Sequence, residues 1–152
     1  MKKILVVLVL SVLLIACKNQ TENKEMVKNP IIGTWELISS TTIENDNVGT
    51  LEMNQKRMIK VINKTHFAFF NHDVNKGQGS LASFISGGGK YTLNDSIYTE
   101  YLEFCNFREW EGNQFDFTIK IKGDTLIQSG SERIEELGVD RKIIETYILV
   151  ER

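Results

Sequence analysis

The sequence has few of the residues that break a sheet or hold a metal. It contains one proline in 152 residues, Pro30, and none from Ile31 to Arg152. Every residue of that stretch keeps its backbone donor, so long strands can run without losing a ladder bond. There are two cysteines, Cys17 and Cys105, and two histidines, His66 and His72. Six residues apart on an extended segment, the histidines would share a face about 20 Å apart at ~3.3 Å per residue, too far to share an ion. No metal site is expected. Basic charge is also scarce: setting aside Lys2 and Lys3 leaves 16 basic against 20 acidic side chains, net −4. A nucleic-acid binder carries a basic stripe to meet phosphates, so none is expected as a partner. A Gly-x-Ser-x-Gly elbow and a P-loop are missing. Gly77-Gln78-Gly79-Ser80-Leu81-Ala82 matches a dinucleotide fingerprint only by letters, without a following helix. No catalytic set and no cofactor are therefore expected, and the protein is read as not an enzyme.

What is present begins with an address. Met1-Lys2-Lys3 is a short basic start, and Ile4 to Ile15 is an almost unbroken apolar run. Twelve residues are too few for a spanning helix, which needs about 20, and suit the core of an export signal. The run ends in Leu14-Ile15-Ala16-Cys17, which resembles the lipobox of bacterial lipoproteins. That resemblance implies cleavage after residue 16, lipidation of Cys17, and a membrane partner held through the lipid anchor. Lys18 is not the Asp that retains lipoproteins in the inner membrane of enterobacteria. The resemblance thus favours the outer membrane, with its periplasmic or surface face left open. Residues 17–29 are polar and read as a flexible tether. The body is residues 30–152, long enough for one core. With Cys17 consumed, Cys105 has no disulfide partner and is expected to be buried.

The body alternates with period 2. Phe115, Phe117, Ile119 and Ile121 alternate with Asp116, Thr118, Lys120 and Lys122 over eight residues; Trp35 to Ile43 and Ile59-Lys60-Val61 do the same more briefly. Further strands are expected at Thr65–Asn71, Gly89–Leu93, Ile97–Cys105, Thr125–Ser129 and Lys142–Val150. Asn63-Lys64, Asn94-Asp95, Glu111-Gly112-Asn113, Gly123-Asp124 and Gly138-Val139-Asp140 separate them as turns. Ser131 to Leu137 suits a charged hairpin arm or a single helical turn. Five of the eleven glycines fall between Lys76 and Gly89, either as a mobile loop at a barrel mouth or as bulges that let strands bend. The expected fold is all-β: an antiparallel up-and-down barrel of eight to ten strands, closed because nothing in the sequence covers free edges.

Ile31-Ile32-Gly33-Thr34-Trp35-Glu36-Leu37 resembles the first strand of the calycins, the lipocalins and fatty-acid-binding proteins, which open with Gly-x-Trp. The chain as a whole resembles the small lipocalin-like lipoproteins common in Bacteroidetes, through Gly88 to Leu93 and Tyr98 to Cys105 as well. The resemblance implies a barrel floor made by Gly33, Trp35 and a basic residue of the last strand, Arg152. It departs in two ways. Glu44 to Lys56, with Asn45-Asp46-Asn47 inside it, leaves no room for a helical lid. The positions of the fatty-acid carboxylate clamp fall on Ile148 and Val150, so that clamp is missing.

These readings point to a monomeric, non-catalytic binder of a small apolar or amphipathic molecule inside the barrel. The alternative is a barrel filled by its own side chains, whose loops bind an envelope partner protein. For the binder, the expected lining is Phe69, Phe117 and Ile119 around a tail, with Tyr101 and Glu103 orienting a polar head. This places Tyr101, Glu103 and Cys105 on one inward face. If Tyr98, Glu100, Leu102 and Phe104 point inward instead, Glu100 is the polar group. Glu100 and Glu103, three apart on a strand, point to opposite faces, with Arg108 and Arg133 as available ion-pair partners.

Overall fold

The structure is a computed structural model that describes residues 29–51 and 53–152. The signal segment, Cys17 and nearly all of the tether lie outside the described residues.

Ten strands follow one another: β1 (Gly33–Glu44), β2 (Asn47–Thr50), β3 (Lys56–Ile62), β4 (His66–Asp73), β5 (Phe84–Asn94), β6 (Ile97–Tyr101), β7 (Phe104–Cys105), β8 (Gln114–Lys122), β9 (Thr125–Ile134) and β10 (Val139–Glu151). Every pairing is antiparallel, and β10 returns to pair with β1, which closes the sheet. β2 and β3 both lie along β1, one on each half, so they are two pieces of a single stave. β6 and β7 lie along β5 in the same way. The ten strands thus make a closed eight-stave barrel, the fold the alternation called for.

The turns follow from local chemistry. Asn45 and Asp46 both take positive φ, 49° and 63°, and join β1 to β2 in two residues. Asn and Asp tolerate this conformation, and a two-residue turn of that hand matches strand twist. The segment from Glu44 to Lys56 therefore carries a hairpin and no lid. Gly123-Asp124 also joins Lys122 to Thr125 in two residues, here with positive φ (59°) at Gly123 alone of the two. Ser131 to Leu137 resolves into both of its readings: β9 runs on to Ile134, and Glu135–Leu137 form one 3₁₀ turn. The glycine-rich stretch divides too. Gly77 and Gly79 sit in the loop after β4, while Gly87, Gly88 and Gly89 are within β5.

That loop is tied down by Asp73, whose carboxylate accepts backbone N–H groups of Asn75 (2.9 Å), Gly77 (3.0 Å) and Ser83 (3.0 Å). These donors, Ser83 and Gly77 foremost, hold the carboxyl below the ordinary aspartate range.

One end of the barrel is filled. Trp35, Tyr98, Leu126 and Tyr147 expose nothing, and Ile62 and Phe67 almost nothing. Trp35 donates its indole N–H to the Ile31 carbonyl at 2.7 Å, so the entering chain and the ring close this end together. Gly33 is buried beside it. Arg152 is exposed, and among the described residues it makes no hydrogen bond or ion pair; its stem lies over Gly33. The basic partner expected for the floor is thus not built by Arg152, because the last strand ends at Glu151 and the side chain leaves the barrel.

Candidate functional site

Above the floor the barrel is hollow. A cavity of about 500 Å³ is walled by Leu37, Met58, Phe69, Leu102, Phe115 and Phe117, with Cys105 and Ile143 beside them. Its mouth is framed by Leu51 after β2 and by Phe107, Glu109 and Trp110 of the segment between β7 and β8. That segment is anchored by Gly112 N–H to Leu102 O (2.8 Å) and by Glu111, which accepts from Cys105 N–H (2.9 Å) and Arg108 Nε (3.0 Å).

Two glycines make room for the aromatic walls. A Cβ on Gly87 would stand 2.8 Å from the Phe69 ring, and one on Gly130 would stand 2.6 Å from Phe117 Cδ1. Both rings swing inward over a partner strand that has no side chain at that point.

A polar layer separates the filled end from the hollow one. Lys60 is buried, and its ammonium donates to Glu100 Oε1 at 2.8 Å and Gln128 Oε1 at 3.0 Å. It also lies 5.3 Å from the Tyr147 ring centroid, 5.9 Å from that of Tyr98 and 6.0 Å from that of Phe67. Desolvating both ions offsets most of their attraction, so the pair fixes geometry more than it adds stability. Next to it Tyr147 donates its hydroxyl to Glu145 Oε2 at 2.7 Å. Burial pushes the Glu145 carboxyl up, against the opposing pull of Lys60 and of the Tyr147 bond. Burial, then the Glu145 charge, drives the Tyr147 phenol well up; burial, then the Glu100 charge, does the same to Tyr98. Higher in the wall Arg141 Nη2 meets Glu132 Oε2 at 2.6 Å, and the Arg141 guanidinium lies 5.3 Å from the Trp110 ring centroid. Among the described residues two buried side-chain oxygens have no hydrogen-bond partner: Asn71 Oδ1 in the cavity wall, and the Tyr98 hydroxyl.

Of the expected lining, Phe69 and Phe117 face the cavity. Ile119 is buried but lies outside the cavity wall, toward the floor. Tyr101 and Glu103 do not reach the interior: Tyr101 is 37% exposed, Glu103 is exposed, and both line a shallow outer dimple with Lys90 and His66. The inward row is Tyr98, Glu100 and Leu102, and Cys105 is inside as well, at 9% exposure. Tyr101 and Cys105 do not share a face because the strand is interrupted between them. The backbone at Leu102–Glu103 bulges over Gly88 and Gly89, with Glu103 N–H on Gly88 O at 3.0 Å, and the alternation restarts one residue out of step. Phe104, inward in the second reading, is consequently 65% exposed.

The ion pairs are also redistributed. Glu100 takes Lys60, Glu103 faces Lys90 loosely at 3.8 Å, and Arg108 and Arg133 go to Glu111 and Glu135. Ile148 and Val150 point outward, so the inward row of β10 is Arg141, Ile143, Glu145 and Tyr147. Lys60, Gln128, Glu132, Arg141 and Glu145 are absent from the sequence-based site. Gln128 was findable, two residues from Leu126 on a short alternating strand. Lys60 was not, because Ile59 and Val61 on either side suggest the opposite face. Among the described residues no three His, Cys or carboxylate side chains converge as metal ligands.

No curated protein matches the chain. Residues 30–152, the whole of the barrel, match the family described as Domain of unknown function (DUF4488). With a match over that span, the chain belongs to the DUF4488 family.

Proposed function

We propose that the barrel is a non-catalytic, lipocalin-like receptacle for one small amphipathic molecule. On this reading the tail lies against Phe69, Leu102, Phe115 and Phe117, and the head lies at the layer of Lys60, Gln128 and Glu145. The observation that carries it is the cavity of about 500 Å³, with apolar walls and with charged and amide side chains at its base and along one side. A barrel filled by its own side chains would have no such space. The N-terminal sequence adds the address: lipidation at Cys17 would hold the receptacle on the outer membrane.

The test is an environment-sensitive apolar dye titrated into the full chain and into Ile143→Trp, which places a bulky ring in the cavity and narrows it. Dye fluorescence should rise with the wild type and be lost in the variant. Equal binding by both would place the dye outside the barrel and overturn the reading. The second reading, a loop-borne interaction module, draws on the exposed Phe84, Leu81 and Val74 around the loop after β4.

A further inference from the structure

Resting on that receptacle reading, we infer that the head group taken by this cavity is an organic cation, a protonated amine, with Glu145 as its counter-ion. The charges at the cavity wall do not balance. Lys60 is committed to Glu100 at 2.8 Å, and Arg141 to Glu132 at 2.6 Å. Of the other two carboxyls lining the same space, Glu109 is exposed to solvent at the mouth, and Glu145 lies inside with the Tyr147 hydroxyl as its one hydrogen-bond partner among the described residues. The groups around it are Lys60 from β3, Glu100 from β6, Gln128 and Glu132 from β9, and Arg141 and Tyr147 from its own strand; its cross-strand neighbour on β1, Ser40, carries no charge. The interior is thus one positive charge short when Glu145 is ionised. Burial favours a proton on that carboxyl in the empty barrel, against the opposing pull of Lys60 and the Tyr147 hydroxyl. A ligand ammonium would take the proton's place.

The open hydrogen-bonding atoms agree in sign. Asn71 Oδ1, buried in the cavity wall without a partner, is an acceptor, and so is the second carboxylate oxygen of Glu145. The charged and hydroxyl donors nearby are already engaged, Lys60 with Glu100 and Gln128, Arg141 with Glu132 and Tyr147 with Glu145, which leaves the neutral amide nitrogens of Asn71 and Gln128 as open donors among the described residues. A site that offers acceptors and an uncompensated carboxylate suits a donor cation and repels a carboxylate tail. The aromatic rings of Phe69, Phe115 and Phe117 would accept the attached chain.

The experiment is isothermal titration of the full chain with three isosteric probes: hexylammonium, hexanol and hexanoate. The ammonium should bind at least tenfold more tightly than the other two. In a series of titrations run from acidic to neutral pH, its binding should release a proton over the acidic part of the series, read as a dependence of the heat on the ionisation enthalpy of the buffer. Glu145→Gln should reduce the ammonium-to-alcohol preference at least tenfold and abolish the proton release. Tighter binding of hexanol or hexanoate, or a preference untouched by Glu145→Gln, would overturn the cation assignment and leave the receptacle standing. Ammonium binding without proton release in the wild type would overturn Glu145 as the group displaced. Binding of none of the three, together with a dye that binds wild type and Ile143→Trp alike, would overturn both.

Discussion

At the floor, Trp35, Tyr98, Leu126 and Tyr147 expose no surface, whereas one layer higher Leu37, Met58, Phe69 and Ile143 face a cavity of about 500 Å³. The same staves build both halves, so the difference lies in side-chain size and polarity at successive inward positions. On β10 the row reads Tyr147, then Glu145, then Ile143; on β6 and the residue after it the row reads Tyr98, then Glu100, then Leu102. A large aromatic at the bottom fills the bore, and the carboxylates above it cannot be packed over without losing their partners. Lys60 bonds to Glu100 in one of these rows and to Gln128 on β9, and acts as a ceiling for the packed half and a base for the open one. The packed half supplies rigidity, and the polar layer keeps the hydrophobic core from collapsing into the space above it.

The comparison breaks first at the floor. Trp35→Ala should cost about 3–5 kcal/mol, the range for losing a fully buried large aromatic. Urea unfolding would show it, and a loss below about 1 kcal/mol would mean the floor is not a packed unit. Next is the ceiling. Lys60→Met strands Glu100 as a buried unpaired charge and should cost about 3 kcal/mol; adding Glu100→Leu should recover most of that, since an apolar pair of similar volume is often neutral. No recovery in the double variant would mean the ion pair itself stabilises the fold. Gly130→Ala should cost about 1–3 kcal/mol, because the new Cβ would press on the Asp116 carbonyl oxygen and stand 2.6 Å from Phe117 Cδ1, so the β8 backbone and the ring must both shift, with a matching change in the near-ultraviolet dichroism. On the hollow side Ile143→Val should cost only about 0.5 kcal/mol, the low end for that exchange, because its side chain already borders empty space.

The last prediction concerns slope rather than size. The Glu145 carboxyl is pushed up in the folded protein, so its proton is held after the unfolded chain has released its own. Its contribution is therefore most favourable below the unfolded value, about 4.3, and declines as pH rises from there through the folded value. Glu145→Gln should match the wild type near pH 4 and gain on it steadily toward neutral pH in denaturant titrations. Asp73, held down by backbone donors, works in the opposite sense. Its stabilisation is present above the unfolded aspartate value and is lost as pH falls through the lower folded one.

The sequence made the barrel legible because β8, with its strict Phe-x-Phe-x-Ile row, and the Asn-Asp and Gly-Asp turns leave few other ways to pair. The site was less legible, for two reasons of chemistry. β4 and β10 carry apolar residues on both faces, so Phe70 and Ile148 compete on paper with Phe69 and Tyr147, and only closure of the sheet decides which row is inside. The bulge after Tyr101 shifts the alternation by one residue, and it arises from close contact with Gly88 and Gly89 on a neighbouring strand, which no local pattern displays. Lys60 belongs to the same class: a lysine between two β-branched residues reads as solvated unless its distant partners Glu100 and Gln128 are known.

The chain enters the barrel at Ile31 beneath Trp35, and Thr34 pairs with Glu151 as it leaves, so both points of attachment lie at the sealed end. The opening framed by Leu51, Phe107 and Trp110 is at the far pole. A reporter, a surface or a lipid joined to either terminus would be held behind the plug, with the orifice facing away from it. The molecule is laid out like a cup on a stem, and it can be tethered, arrayed or fused without a hand across its rim.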